Sequence, residues 1–312
     1  MNHSSNSEPA VGDEPVLPVN AIPADAEQIQ AENDALIQRV DEQITLGSFE
    51  PTDQLLKQLV EGLGDPRGLM RLRFAETLGE IGELATPFLV DVLAHHPDVV
   101  VRRAAAKTLT IIADPSAVPT LIHSFLNDED TVVKGSSAGA LARTGEAAVP
   151  ALLDILASTE QPQDIKGHAA WALAFMGSEA GDHLYKALNS ASLDVRCAVI
   201  GALGHVAQEQ SDQKSCNLLV SALTDPEALI RTEAAAALGQ VNYPDAVPHL
   251  ILAVQDADLD VRKAAINSLG KMGAQQALAP LQAALNDELE VIRILAKLAI
   301  AQIERQSEPD DW

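Results

Sequence analysis

Large rings are scarce in this sequence: five Phe, two Tyr and two Trp make up 3% of 312 residues, although 47% of the chain is hydrophobic. A buried layer made without them is made of Ala, Leu, Val and Ile, which suits thin contacts between helices better than one thick core. Cysteine is nearly absent too. Cys197 and Cys216 are too few for a disulfide framework and lack metal-ligand spacing, so a reducing cytoplasmic setting is expected. No apolar run approaches the roughly 20 residues of a membrane span, and the opening MNHSSNSEPAVGDEPV has neither the basic start nor the apolar core of an export signal. Positive charge is the fourth shortage, with 21 Lys and Arg against 45 Asp and Glu and a net charge of −24. Residues 1–50 hold ten acidic and one basic residue, and 303–312 hold four and one, which leaves −12 for the body between. A surface of that sign repels phosphate backbones and argues against nucleic acid as a partner. Gly-rich phosphate loops, nucleophile elbows and paired carboxylates in a defined frame are missing as well, so no catalytic residue is nominated.

What is present is a repeat. A basic residue returns at Arg71, Arg102, Lys134, Lys166, Arg196, Arg231, Arg262 and Arg293, each with a small or apolar residue near the fourth place after it. Leu78, Leu109, Leu141, Leu173, Leu203, Leu238, Leu269 and Ile300 follow seven places on. The gaps between anchors are 31, 32, 32, 30, 35, 31 and 31 residues, too regular for chance and too long for a coiled coil. Each unit reads as two helices. Val149, Leu152, Leu153 and Leu156 describe an apolar stripe on a first helix, and Ala234, Ala235 and Leu238 one on a second. Pro87, Pro119, Pro150, Pro248 and Pro280 fall near first-helix starts, where a missing N–H costs little. Acidic turns such as Asn127 to Asp130 and Asp256 to Asp260 separate the two helices and offer Asp as a cap.

Two such helices cannot close a core alone, so neighbours must stack. The expected fold is all-α, an α-α superhelix or solenoid of about eight hairpins with one concave and one convex face. The expected organisation is a disordered acidic tail over 1–23, an amphipathic capping helix in 24–50 carrying Ile29, Leu36, Ile37, Val40 and Ile44, the solenoid over 51–305, and a flexible acidic tail over 306–312. An Asp precedes the anchor by six places at Asp65, Asp128, Asp225, Asp256 and Asp287, which reads as a charge ladder tying each turn to its neighbour rather than as a ligand track.

On each second helix, the second, fifth and ninth residues after the anchor should escape the packed stripe. In units three to five these positions and their neighbours combine Gly135 and Gly139 with Arg143, His168, Trp171, Phe175 and His205, small side chains making a hollow and bulky ones lining it. Those five larger residues form the candidate ligand or partner groove. Cys197, beside Arg196 at a helix start, is a candidate reactive thiol.

A unit that runs from Asp through Val or Ile and Arg to a closing Leu-Gly, as in Asp225 to Gly239 and Asp256 to Gly270, resembles the HEAT repeat in the short form named after phycobilisome lyases. The resemblance spans about residues 52–305 and implies a binding protein without specifying what is bound. Gly167-His168-Ala169-Ala170-Trp171-Ala172-Leu173 is similar to an aromatic motif of the E/F-type bilin lyases, without its flanking tyrosines and second tryptophan. By that resemblance the expected role is an adaptor acting on phycobiliproteins or phycobilisome components, through a protein partner on the concave face or a second HEAT-repeat subunit, with no membrane insertion. No resident cofactor is expected, although a bilin is a candidate ligand. The enzyme alternative is a bilin lyase subunit. A further alternative is an accessory role in iron–sulfur assembly, which would need Cys197 and Cys216 to hold metal. Deoxyhypusine hydroxylase, a HEAT-repeat enzyme that carries iron on His-Glu pairs, is set aside, because none of the eight histidines here precedes Glu.

Overall fold

A computed structural model of the protein describes residues 24–210 and 212–307, so both expected acidic tails lie wholly or mainly outside the described residues. The chain divides into two compact units, 1–50 and 51–312. The first contributes α1, Ala24–Thr45, on which Ile37 and Val40 are buried, Leu36 and Ile44 half-buried, and Ile29 exposed.

The second unit is a run of eight helical hairpins. They are α2 Asp53–Glu61 with α3 Gly68–Ile81, α4 Thr86–His95 with α5 Val99–Ile112, α6 Val118–Asn127 with α7 Thr131–Arg143, and α8 Val149–Ala157 with α9 Gln163–Met176. There follow α10 Gly181–Ala187 with α11 Leu193–Gln210, α12 Gln213–Ala222 with α13 Ala228–Val241, α14 Val247–Ala253 with α15 Leu259–Lys271, and α16 Leu278–Ala284 with α17 Glu290–Ser307. Each basic anchor is the fourth residue of its second helix. The long 35-residue gap is taken up where α11 runs for 18 residues, against 13 or 14 in the second helices from α3 to α9 and in α13 and α15.

Local chemistry explains the boundaries. Pro87, Pro119, Pro150 and Pro248 stand in the first turns of α4, α6, α8 and α14, where their missing N–H has no helical partner to lose. Asp98, Asp130 and Asp258 each accept backbone N–H groups of the helix they precede, as in Asp98 to Val100 at 2.8 Å. The Leu seven places after the anchor is fully buried in the first seven hairpins. In the last hairpin the equivalent Ile300 is only half-buried. Second helices pack on second helices in chain order, and they come close: a Cβ on Gly239 would stand 2.7 Å from the Cα of Ser268, and one on Gly270 3.0 Å from the Cα of Ala299.

The charge ladder is built in two bonds, and only one involves the carboxylate. All six arginine anchors donate through Nη1 to the main-chain carbonyl six residues back, from Arg71 to Asp65 at 2.6 Å to Arg293 to Asp287 at 2.7 Å. His96 and Ser190 serve as well as Asp there, because the acceptor is the backbone. The Asp carboxylate instead accepts the N–H two residues on, and at Asp128 and Asp256 it also receives a two-pronged fork from the preceding hairpin's anchor. Arg102 reaches Asp128 at 2.9 and 3.2 Å, and Arg231 reaches Asp256 at 2.8 Å on both prongs. Arg103 adds a second tie to Asp130 at 2.5 and 2.8 Å. Its guanidinium is the main reason the Asp130 carboxyl lies well below its ordinary range. Lysine anchors cannot fork: Lys134 donates to the Leu126 carbonyl at 3.3 Å, and Lys166 pairs with Asp194.

Candidate functional site

The exposed side of the second helices follows the sequence pattern. All fifth and ninth residues after the anchors are exposed or half-buried, from Glu76 and Glu80 in α3 to Leu298 and Gln302 in α17. In α7, α9 and α11 they form two rows. Gly139, Trp171 and Gly201 occupy the fifth place, and Arg143, Phe175 and His205 the ninth. Because α7 packs on α9 and α9 on α11, Trp171 shares its row with two glycines and Phe175 shares its row with Arg143 and His205.

The rings of Trp171 and Phe175 lie 5.6 Å apart at 34° and are 50% and 53% exposed, so the pair rests on itself rather than filling the core. Arg143 and His205 are exposed and have no hydrogen bond or ion pair among the described residues. His168 is less free: its Nδ1 lies 2.8 Å from the Asp164 carbonyl and its ring meets the edge of Phe125 at 6.3 Å.

The glycines separate into two kinds. A Cβ on Gly62, Gly79, Gly204, Gly239 or Gly270 would press on a neighbouring hairpin or on a side chain of its own hairpin, as at 2.7 Å from Ile111 for Gly79. A Cβ on Gly135, Gly139, Gly167 or Gly201 would meet nothing within 4 Å. Glycine inside a helix costs roughly 1 kcal/mol against alanine. At these four positions no close approach requires it; Gly167 lies on α9, which carries the aromatic pair, and the other three lie on its neighbours α7 and α11. What the glycines leave is unfilled space on α7, α9 and α11, with Gly139 and Gly201 at the same place in their helices as Trp171 in its own.

The surroundings of the thiol nominated from the sequence disfavour its ionised form. Cys197 is half-buried, and that burial pushes its thiol up to about 11, with Glu233 and Asp194 adding to the effect and Arg196 too weak to offset them. Burial also raises Cys216. Among the described residues no group of three or more His, Cys, Asp or Glu is placed to hold a metal ion, so the two cysteines do not fit the cluster-holding role considered for them. No described helix is long and apolar enough to cross a membrane.

A hollow of about 440 Å³ lies on the same face between α3 and α5, lined by Arg71, Arg103 and Lys107 together with Leu72, Ile111 and Val132. Its signal was present in apolar Ile111 at a place expected to face outward, but which cations close around it depends on how α3, α5 and α7 pack.

Hairpins stacked in chain order, with one face of second helices left open, define an α-solenoid binding protein. The model of HEAT repeats matches residues 52–142, 149–233, 181–256 and 217–301, and the chain belongs to that family. It is 37% identical over 234 residues, 75% of its length and 79% of the relative's, to the bilin biosynthesis protein MpeU of Synechococcus sp. (strain WH8020). Deoxyhypusine hydroxylase of Candida albicans (strain SC5314 / ATCC MYA-2876) is 27% identical over 265 residues, 83% of this chain and 81% of that one. A solved structure describing Kap95p bound to RanGDP is similar in fold alone, with a TM-score of 0.50 and 14% identity over 85% of this chain and 42% of that one.

Proposed function

We propose that this protein is a HEAT-repeat adaptor that holds a phycobiliprotein or another phycobilisome component on the open face of its second helices, in antenna assembly, chromophorylation or turnover. The observation that carries the reading is the Trp171–Phe175 pair, half-exposed and flanked by Gly139 and Gly201 where nothing fills the space. A solvent-exposed aromatic pair on a face kept clear by small residues is the form of an interface anchor, with Arg143 and His205 as its polar rim. The similarity to MpeU over three quarters of the chain supports a partner from bilin metabolism. The test is a binding titration against purified phycobiliproteins in apo and holo forms. Trp171→Ala should weaken binding about tenfold or more with helical circular dichroism unchanged. If the variant instead unfolds, Trp171 belongs to the core and the reading fails.

The second reading is a bilin lyase subunit, favoured by the same similarity to a protein of bilin biosynthesis. In it the two rings would stack on an open-chain tetrapyrrole and Arg143 would meet a propionate, while the high Cys197 thiol makes a transfer through that residue unfavourable. Incubation with bilin and apo-phycobiliprotein separates the two: a covalent, visibly absorbing adduct supports the lyase, and complex formation without one supports the adaptor.

A further inference from the structure

Two hollows occupy the same register of the second-helix face and differ in charge. Between α13 and α15, a space of about 530 Å³ is lined by Asp258, Asp260, Lys263 and Lys271 with Leu229 at its edge, and Lys263 is tied to Asp260 at 2.6 Å. Two acids and two bases leave it without net charge. Between α3 and α5, the 440 Å³ hollow has only cations among its charged lining residues. Arg103 is balanced by Asp130. Arg71 bonds to the carbonyls of Asp65 and Pro66, which leave its charge intact, and Lys107 has no hydrogen bond or ion pair among the described residues. Two positive charges with no ion pair of their own among the described residues therefore line this hollow, in a body whose sequence carries −12.

Apolar surface surrounds them. Leu72 is 51% exposed, Ile111 52% and Val132 42%, and Leu69 on the outer turn of α3 is 75% exposed. Ile111 leans over Gly79, whose missing side chain lets α3 and α5 come together. These apolar residues cross three successive helices, a width of about 20 Å at 8–10 Å between axes. That width exceeds what a compact carboxylic acid would cover and matches roughly 13 residues of helix. Glu76 and Glu80 do not line the hollow, but they hold the same fifth and ninth places on α3 that Lys107 and Ile111 hold on α5, and would turn a partner's carboxylates toward the Arg71 end.

We propose that the α3–α5 hollow docks an acidic amphipathic helix of a partner protein, its apolar stripe on Leu72, Ile111 and Val132 and its carboxylates over Arg71, Arg103 and Lys107. This site is separate from the aromatic rows and does not depend on the phycobiliprotein reading, since a synthetic peptide tests it alone. The probe is a fluorescein-labelled peptide of Leu, Ala and Glu with leucines at helical spacing, followed by anisotropy with the full chain at low salt, beside a counterpart in which Lys replaces Glu. Saturable one-to-one binding of the Glu peptide is expected, weakened about tenfold or more by Lys107→Glu and unchanged by Lys271→Glu in the neutral hollow. Lys107 is exposed and unpaired, so circular dichroism of Lys107→Glu should match the parent. Three results would overturn the proposal: no binding of the Glu peptide, equal binding of the Lys peptide at the same site, or indifference to Lys107→Glu. Binding of dodecanoate at Lys107 without binding of the peptide would also overturn it, by replacing the helix with a small carboxylate.

Discussion

Hairpins two to three and six to seven are tied differently from hairpins three to five. In the first set, arginine anchors reach across to the next turn with paired guanidinium–carboxylate bonds, Arg102 to Asp128 and Arg231 to Asp256. In the second set the anchors Lys134 and Lys166 offer single bonds, and the helices beside them contain glycines that touch nothing. Charge pairing and close glycine contacts hold the flanks together, whereas the middle gives up helix stability to leave a surface open around Trp171. A repeat protein can make this trade locally, because each hairpin answers mainly to its neighbours.

The comparison breaks or sharpens under mutation. Arg231→Ala removes both prongs on Asp256 and the bonds to Asp225 and Pro226, and should cost about 2–3 kcal/mol in urea unfolding. Lys134→Ala should cost clearly less, and equal losses would erase the distinction between forked and single ties. Gly239→Ala forces a methyl onto Ser268 and should destabilise by about 1–3 kcal/mol. Gly139→Ala and Gly201→Ala should each stabilise by about 0.5–1 kcal/mol while weakening the partner bound at Trp171. A loss of stability in either would show that the open glycines are packing glycines after all.

The smallest effect is in acid. Its bond from Arg231 holds Asp256 below the usual carboxylate range. Its contribution is therefore complete above the unfolded value near 4 and is lost as pH falls through the lower folded value. The difference in thermal midpoint between the parent and Asp256→Asn should hold from pH 7 to pH 5 and shrink below about pH 4. A gap that closes already between pH 7 and pH 5 would mean that the fork is not what Asp256 contributes.

Much of the architecture was legible beforehand because stacking is dictated by period. Seven leucines at one place in each unit are all fully buried, and the prolines and capping aspartates mark the helix starts where they were expected. The candidate site was legible as a set of positions: the fifth and ninth residues after each anchor do face outward. Its chemistry was less so. Cys197 reads as an activated thiol from its place beside Arg196, but reactivity depends on solvent access and on Glu233, which comes from a different hairpin.

Composition and repetition in the chain determined by themselves that it would form stacked helical hairpins with one outward row of side chains, because a 3.6-residue period and a recurring anchor leave few other ways to bury leucine. Only the tertiary structure decided which glycines are pressed and which are free, that the anchors grip main-chain carbonyls, and that Arg71, Arg103 and Lys107 converge on one hollow. Those facts are distances between hairpins, and distances of that kind arise only when the hairpins pack.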